Sequence, residues 1–117
     1  KVVLSTNPIF PLVAQKKRVS WVGLSGDEFS LITSYESEGC CKPNPEYFIS
    51  ISERIGVKPE ECLVIGNDEY EDMYAATAAG MNCYLVTDWA IKSKEHSWNG
   101  NSGTFSEMIE MLKSLDA

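Results

Sequence analysis

The chain has 117 residues, enough for one domain with a real core and too few for two. A net charge of -7 excludes the broad basic surface that nucleic-acid binding needs; the one dense basic run, Lys16-Lys17-Arg18, reads as a solvated helix face. Hydrophobic residues at 44% and charged residues at 23% are ordinary for a soluble globular protein, and no apolar run is long enough to span a membrane. Cys40, Cys41, Cys62 and Cys83 do not have zinc-ligand spacing, so a reducing cytoplasm is the simplest setting.

The first residues, Lys1-Val2-Val3-Leu4-Ser5-Thr6, read as a buried strand. A natural N-terminus seldom begins there, and an upstream segment is expected. Pro8 and Pro11 break the chain after Asn7. Val13 to Val22 carries Val13, Val19 and Val22 at helical spacing and predicts a helix ending near Gly23. Phe29 to Tyr35 predicts a short strand, and Glu36 to Pro45 a loop. Pro45 suits the first turn of a helix that stops at Gly56, with Phe48, Ile51 and Ile55 inward. Glu61 to Ile65 is a continuous apolar strand, and Glu69 to Ala79 a helix ended by Gly80. Asn82 to Thr87 is a strand, and Lys92 to Gly103 a polar loop. Thr104 or Ser106 caps a last amphipathic helix containing Phe105, Met108, Ile109, Leu112 and Leu115. Strands alternating with helices imply an α/β fold with a parallel sheet.

Three polar clusters follow extended segments, and parallel sheets put ligands at the carboxyl ends of their strands. Thr6-Asn7 offers a hydroxyl, an amide and backbone N–H groups that suit phosphate oxygens, or that cap the next helix. Lys42 precedes Pro43, which favours an extended conformation and projects the side chain outward. Its ammonium can offset carboxylate and phosphoryl charge, or serve as an ordinary surface lysine. Asp68 and Asp72 are four apart, on one side of a helix start. Two hard oxygen donors suit Mg²⁺, yet Asp68-x-x-Glu71 equally resembles a capping box.

The order hydroxyl, lysine, paired Asp resembles the second, third and fourth motifs of the haloacid dehalogenase (HAD) superfamily. Leu4-Ser5-Thr6-Asn7 is similar to the second motif. Lys42-Pro43-Asn44-Pro45-Glu46-Tyr47-Phe48 is similar to the third, Lys-Pro-x-Pro-x-x-Phe. Gly66 to Met81, with Asp72-x-x-Ala75-Ala76-x-x-Ala79-Gly80-Met81, resembles the fourth. Asn67 is a departure, standing between Gly66 and Asp68 where the family often has Gly-Asp. The larger departure is the first motif. Its Asp-x-Asp, whose first Asp is the family's nucleophile, occurs nowhere in the 117 residues. Asp88-Trp89-Ala90 and Asp27-Glu28 do not replace it; Asp88 is read as a turn or cap residue.

The resemblance implies a Rossmann-like HAD core lacking a central N-terminal strand, with residues 1–117 as one core fragment. It implies a Mg²⁺-dependent phosphatase of small phosphorylated molecules acting through an aspartyl-phosphate. Thr6 and Asn7 would hold phosphate, Lys42 would orient nucleophile and phosphate, and Asp68 and Asp72 would hold Mg²⁺. This chain alone would then be inactive. The 35 residues between Thr6 and Lys42 leave no room for a large cap. The missing strand would lie between those ending at Thr6 and Gly66, so an upstream half or a self-association partner is expected to complete the sheet. A non-catalytic Mg²⁺- or phosphate-binding or partner-docking module is the alternative. So is a metal-independent dehalogenase of the same fold, which the paired Asp68 and Asp72 disfavour. A phosphorelay receiver carries its acidic pocket before the Thr and Lys, the reverse of the order here.

Overall fold

A computed structural model describes residues 1–115; the expected 1–117 unit extends two residues further. In chain order the elements are β1 (Val3–Leu4), α1 (Leu12–Trp21), β2 (Leu31–Ile32), α2 (Pro45–Ile55), β3 (Leu63–Gly66), a π-helical segment (Glu69–Tyr74) running into α3 (Ala75–Ala78), β4 (Asn82–Val86), β5 (Ser102–Gly103) and α4 (Phe105–Leu115). Every strand pair is parallel, so the α/β expectation holds.

The strands form two groups, β1-β2 and β3-β4-β5. Val3 pairs with Leu31, while Leu63 pairs with Asn82 and Gly66 with Leu85. Between β1 and β3 lies a cleft of about 590 Å³, lined among others by Val3, Ser5, Phe48, Ile51, Val64 and Ile65. It falls where the resemblance expects a further strand. Leu63 and Ile65, expected in a buried strand, are 38% and 37% exposed because β3 has no hydrogen-bonded neighbour on that side.

The core sits under the second group. Tyr47, Phe48 and Ile51 of α2 pack with Met73, Ala75, Ala76, Ala79, Met81, Cys83 and Leu85. Alanines at 75, 76 and 79 let the helix lie close to the sheet, and the fourth expected small residue, Ala78, faces solvent. Helix α2 begins as its sequence dictates. The Asn44 side chain accepts from the Glu46 N–H, Pro45 occupies the first turn, and Gly56 ends the helix at φ +69°.

Three expectations are corrected. In α1 only Val19 of the three valines is buried; Val13 and Val22 are 75% and 73% exposed, and the buried partner of Val19 is Gln15. The strand expected over Phe29 to Tyr35 shrinks to two residues, because Thr33 and Ser34 turn their hydroxyls to buried hydrogen bonds. The loop Lys92 to Gly103 ends in β5, whose Ser102 and Gly103 pair with Leu85 and Val86. Its Gly-Asn-Ser composition hid a strand that the β4 edge imposes. Asp88 acts as read, accepting from the Phe105 N–H at 3.0 Å at the start of α4. Thr104 and Glu107 form the reciprocal capping box there.

Candidate phosphoryl-transfer site

The carboxyl ends of β1 and β3 lie on one edge, and the loop before α2 reaches it. The Lys42 ammonium joins all three: it donates to Asp72 Oδ1 at 2.7 Å and to the Ser5 carbonyl at 3.3 Å. Both side chains of this ion pair are only 10% exposed. The Lys42–Pro43 peptide bond is cis. Charge-assisted contacts with little water around them are far stronger than surface pairs.

Asp72 is held from its other side. Its Oδ2 accepts from the backbone N–H groups of Asn67 and Asp68, each at 3.2 Å. The carboxylate therefore lies flat on the turn after β3, and only glycine fits beneath it. A Cβ at position 66 would come within 2.6 Å of Asp72 Cγ. Asn67, the departure from the motif, contributes a backbone donor to Asp72 while its side chain donates to the Trp89 carbonyl at 3.1 Å.

Asp68 caps the π-helical segment: its Oδ1 accepts from the Tyr70 and Glu71 N–H groups at 2.9 and 2.8 Å. This is half a capping box, because the Glu71 carboxylate turns away and accepts from Asn7 Nδ2 at 3.1 Å. The capping role and a ligand role are compatible, since Asp68 Oδ2 has no hydrogen-bond partner among the described residues. Hard carboxylate oxygens suit Mg²⁺, which takes one or two of them and keeps several waters. Asp68 and Asp72 fit that donor set but do not complete it: no group of three His, Cys, Asp or Glu could hold a metal among the described residues.

Thr6 and Asn7 differ from expectation in detail. Asn7 spends both polar ends of its side chain within the protein, its Oδ1 accepting from the Lys42 N–H at 2.9 Å and its Nδ2 donating to Glu71. It ties the three segments together. The Thr6 N–H donates to Thr33 Oγ1 at 2.9 Å, and the Thr6 carbonyl accepts from the Tyr47 hydroxyl at 2.7 Å. Thr33 and Tyr47 are fully buried and 3.0 Å apart through their hydroxyls. Burial pushes the Tyr47 hydroxyl well above the ordinary tyrosine value, so it stays a donor. Sequence reasoning missed this support. Thr33 sat in a segment read as apolar strand, and Tyr47 in a motif read for its Lys, Pro and Phe. A hydroxyl in each of two buried segments was the available signal.

Comparison with known proteins decides the lineage. The HAD-hydrolase-like family model matches residues 39–100, more than half the chain. The chain belongs to the HAD-like hydrolases. A relative within that family, glyceraldehyde 3-phosphate phosphatase of Methanothermobacter thermautotrophicus, is 33% identical over 89 residues, 74% of this chain and 39% of the relative. A Thermotoga maritima protein described as a candidate β-phosphoglucomutase superposes with a TM-score of 0.77 at 24% identity, covering 97% of this chain and 52% of its own. YfnB of Bacillus subtilis, solved bound to magnesium, superposes with a TM-score of 0.72 at 26% identity, covering 95% and 47%. The chain thus spans about half of these structures, and less of the curated relative. No helix among the described residues is long and apolar enough to cross a membrane.

Proposed function

We propose that this HAD-like chain supplies the phosphate- and metal-binding half of a Mg²⁺-dependent phosphatase that acts on a small phosphorylated metabolite through an aspartyl-phosphate. The observation that carries the reading is the buried Lys42–Asp72 pair at 2.7 Å, set beside Thr6 and Asp68 at the ends of two parallel strands. It holds a cation where a phosphoryl group would need one. Relatives named as phosphatases of glyceraldehyde 3-phosphate and phosphoglycolate support a small, phosphorylated substrate class.

In this reading Thr6 donates its hydroxyl to a phosphoryl oxygen, and Asn7 contributes its backbone N–H while its side chain keeps Lys42 in register. Lys42 neutralises charge on the nucleophile and the phosphoryl group. Asp68 and Asp72 hold the metal, Asp68 through the oxygen its cap leaves free. When bound, Mg²⁺ supplies charge neutralisation and alignment of the phosphoryl oxygens. The nucleophile is an Asp from outside these 117 residues, since they contain no Asp-x-Asp. It would arrive on an extended segment seated in the cleft between β1 and β3, from an upstream half or a second chain. Residues 1–117 form a single core fragment, and any cap that selects the substrate lies outside it. Four free thiols suit a cytoplasmic setting.

The test is a phosphatase assay on the protein completed with an Asp-x-Asp strand, with and without Mg²⁺. Hydrolysis is expected only with both, and Lys42→Met and Asp68→Asn each lower kcat by about 100-fold or more. Equal hydrolysis by the unsupplemented chain, or hydrolysis indifferent to Mg²⁺, contradicts the reading.

A further inference from the structure

We infer that Gln15 is a positioning residue that aims the Thr6 hydroxyl proton at the bound phosphoryl group, an inference that rests on the phosphatase reading above. Gln15 is a polar residue only 2% exposed on the inner side of α1. A buried amide needs partners, and it has two. Its Nε2 donates to Thr6 Oγ1 at 2.7 Å, and its Oε1 accepts from Arg18 Nη1 at 3.1 Å.

Arg18 fixes which way the amide faces. A guanidinium can only donate, so the atom opposite Arg18 must be the amide oxygen, and the NH₂ must face Thr6. Arg18 is itself steadied by the Phe10 ring, 5.4 Å from the guanidinium carbon to the centroid. The hydroxyl of Thr6 then accepts one hydrogen bond, and its single proton has to point elsewhere.

Every other polar atom of Thr6 is occupied. Its N–H goes to Thr33 and its carbonyl receives Tyr47, while Oγ1 donates to nothing among the described residues. The one uncommitted donor of this residue is the hydroxyl proton. Pre-aiming it removes the rotor freedom a threonine would otherwise lose on binding phosphate. No charge on Gln15 itself reaches the ligand; it acts through Thr6, and Arg18 acts through Gln15.

The test is a double-mutant cycle read by inorganic phosphate binding, followed by ³¹P NMR on the protein with Mg²⁺ present. Gln15→Met keeps the side-chain length and removes the donor; it should weaken phosphate binding about fivefold with Thr6 intact. In a Thr6→Val background the same change should do nothing. Gln15→Glu should weaken binding more than Gln15→Met, because its carboxylate takes the Thr6 proton for itself. Arg18→Ala leaves the core untouched and should give a smaller loss, again only with Thr6 present, which keeps the test valid should the Gln15 variants fold poorly. Losses of equal size with and without Thr6 would overturn the role of Gln15 and leave the phosphate site standing. Wild-type protein that binds no phosphate would overturn the phosphatase reading and this inference with it.

Discussion

The two strand groups reach the site from opposite sides and are built differently. Among residues 1–46 only Val19 and Ile32 are buried apolar side chains. Residues 47–85 hold a continuous core from Tyr47 to Leu85. The second group is held by apolar packing, which does not depend on the site. The first adds only the partly buried Val3, Leu31 and Cys40 to that core and is joined to it at the site by polar bonds: Thr6 and Thr33 to Tyr47, Asn7 to Glu71, Lys42 to Asp72. Residues that would bind phosphate and metal are therefore also the joints between the two groups. Damage to chemistry and damage to stability should coincide on the first group and separate on the second.

The largest expected effect breaks the packed side. Phe48→Ala, at a 2% exposed position, should cost about 3–5 kcal/mol in urea unfolding. Trp21→Ala, at a 72% exposed position on the other side, should stay within about 0.5 kcal/mol. Equal losses would erase the contrast. Next comes the joint itself. Asp72→Asn strands the Lys42 ammonium in a site only 10% exposed and should cost about 3 kcal/mol. Lys42→Met with Asp72→Asn together should cost less than the sum of the two single changes, as measured in a double-mutant cycle.

Thr33→Val keeps the shape and removes a hydroxyl that the Thr6 N–H and the Tyr47 hydroxyl both use. A loss of about 2 kcal/mol is expected, against near neutrality for Val13→Thr at a 75% exposed position. The smallest effect should appear as pH dependence. The Glu69 carboxylate accepts from the Trp98 and Ser93 N–H groups, and these bonds hold its pKa below the ordinary 4.5. A carboxylate whose folded pKa is depressed contributes stability above its unfolded value and loses it as pH falls through the folded one. Glu69→Gln should therefore lower the neutral plateau and flatten the acid limb below about pH 4.5, the two proteins converging in acid where Glu69 is protonated. An unchanged acid limb would show that Glu69 does not govern it.

Much of this was legible in the sequence, and for identifiable reasons. Pro45 and Gly56 marked α2 because backbone chemistry acts locally. Lys42, Asp68 and Asp72 stood out because their spacing and order carry the family pattern, and the fold brings them together. The misses share another cause. Val13 and Val22 have the right spacing for a core face, but α1 has no apolar partner there and Gln15 takes the inner position. β5 forms because β4 offers an edge, which no local property of Ser102-Gly103 announces. Thr33 and Tyr47 support Thr6 across 27 and 41 residues of sequence, a relation that spacing cannot encode. Local chemistry was readable; pairing between distant segments was not.

The central claim is that Asp68, Asp72 and Lys42 form one metal- and phosphoryl-binding centre. Backbone amide NMR during a Mg²⁺ titration tests it most directly. The account predicts shifts confined to the segment from Gly66 to Asp72 and to Lys42, saturable and abolished by Asp68→Asn. Shifts spread over the acidic surface, or shifts in this segment that survive Asp68→Asn, would contradict it.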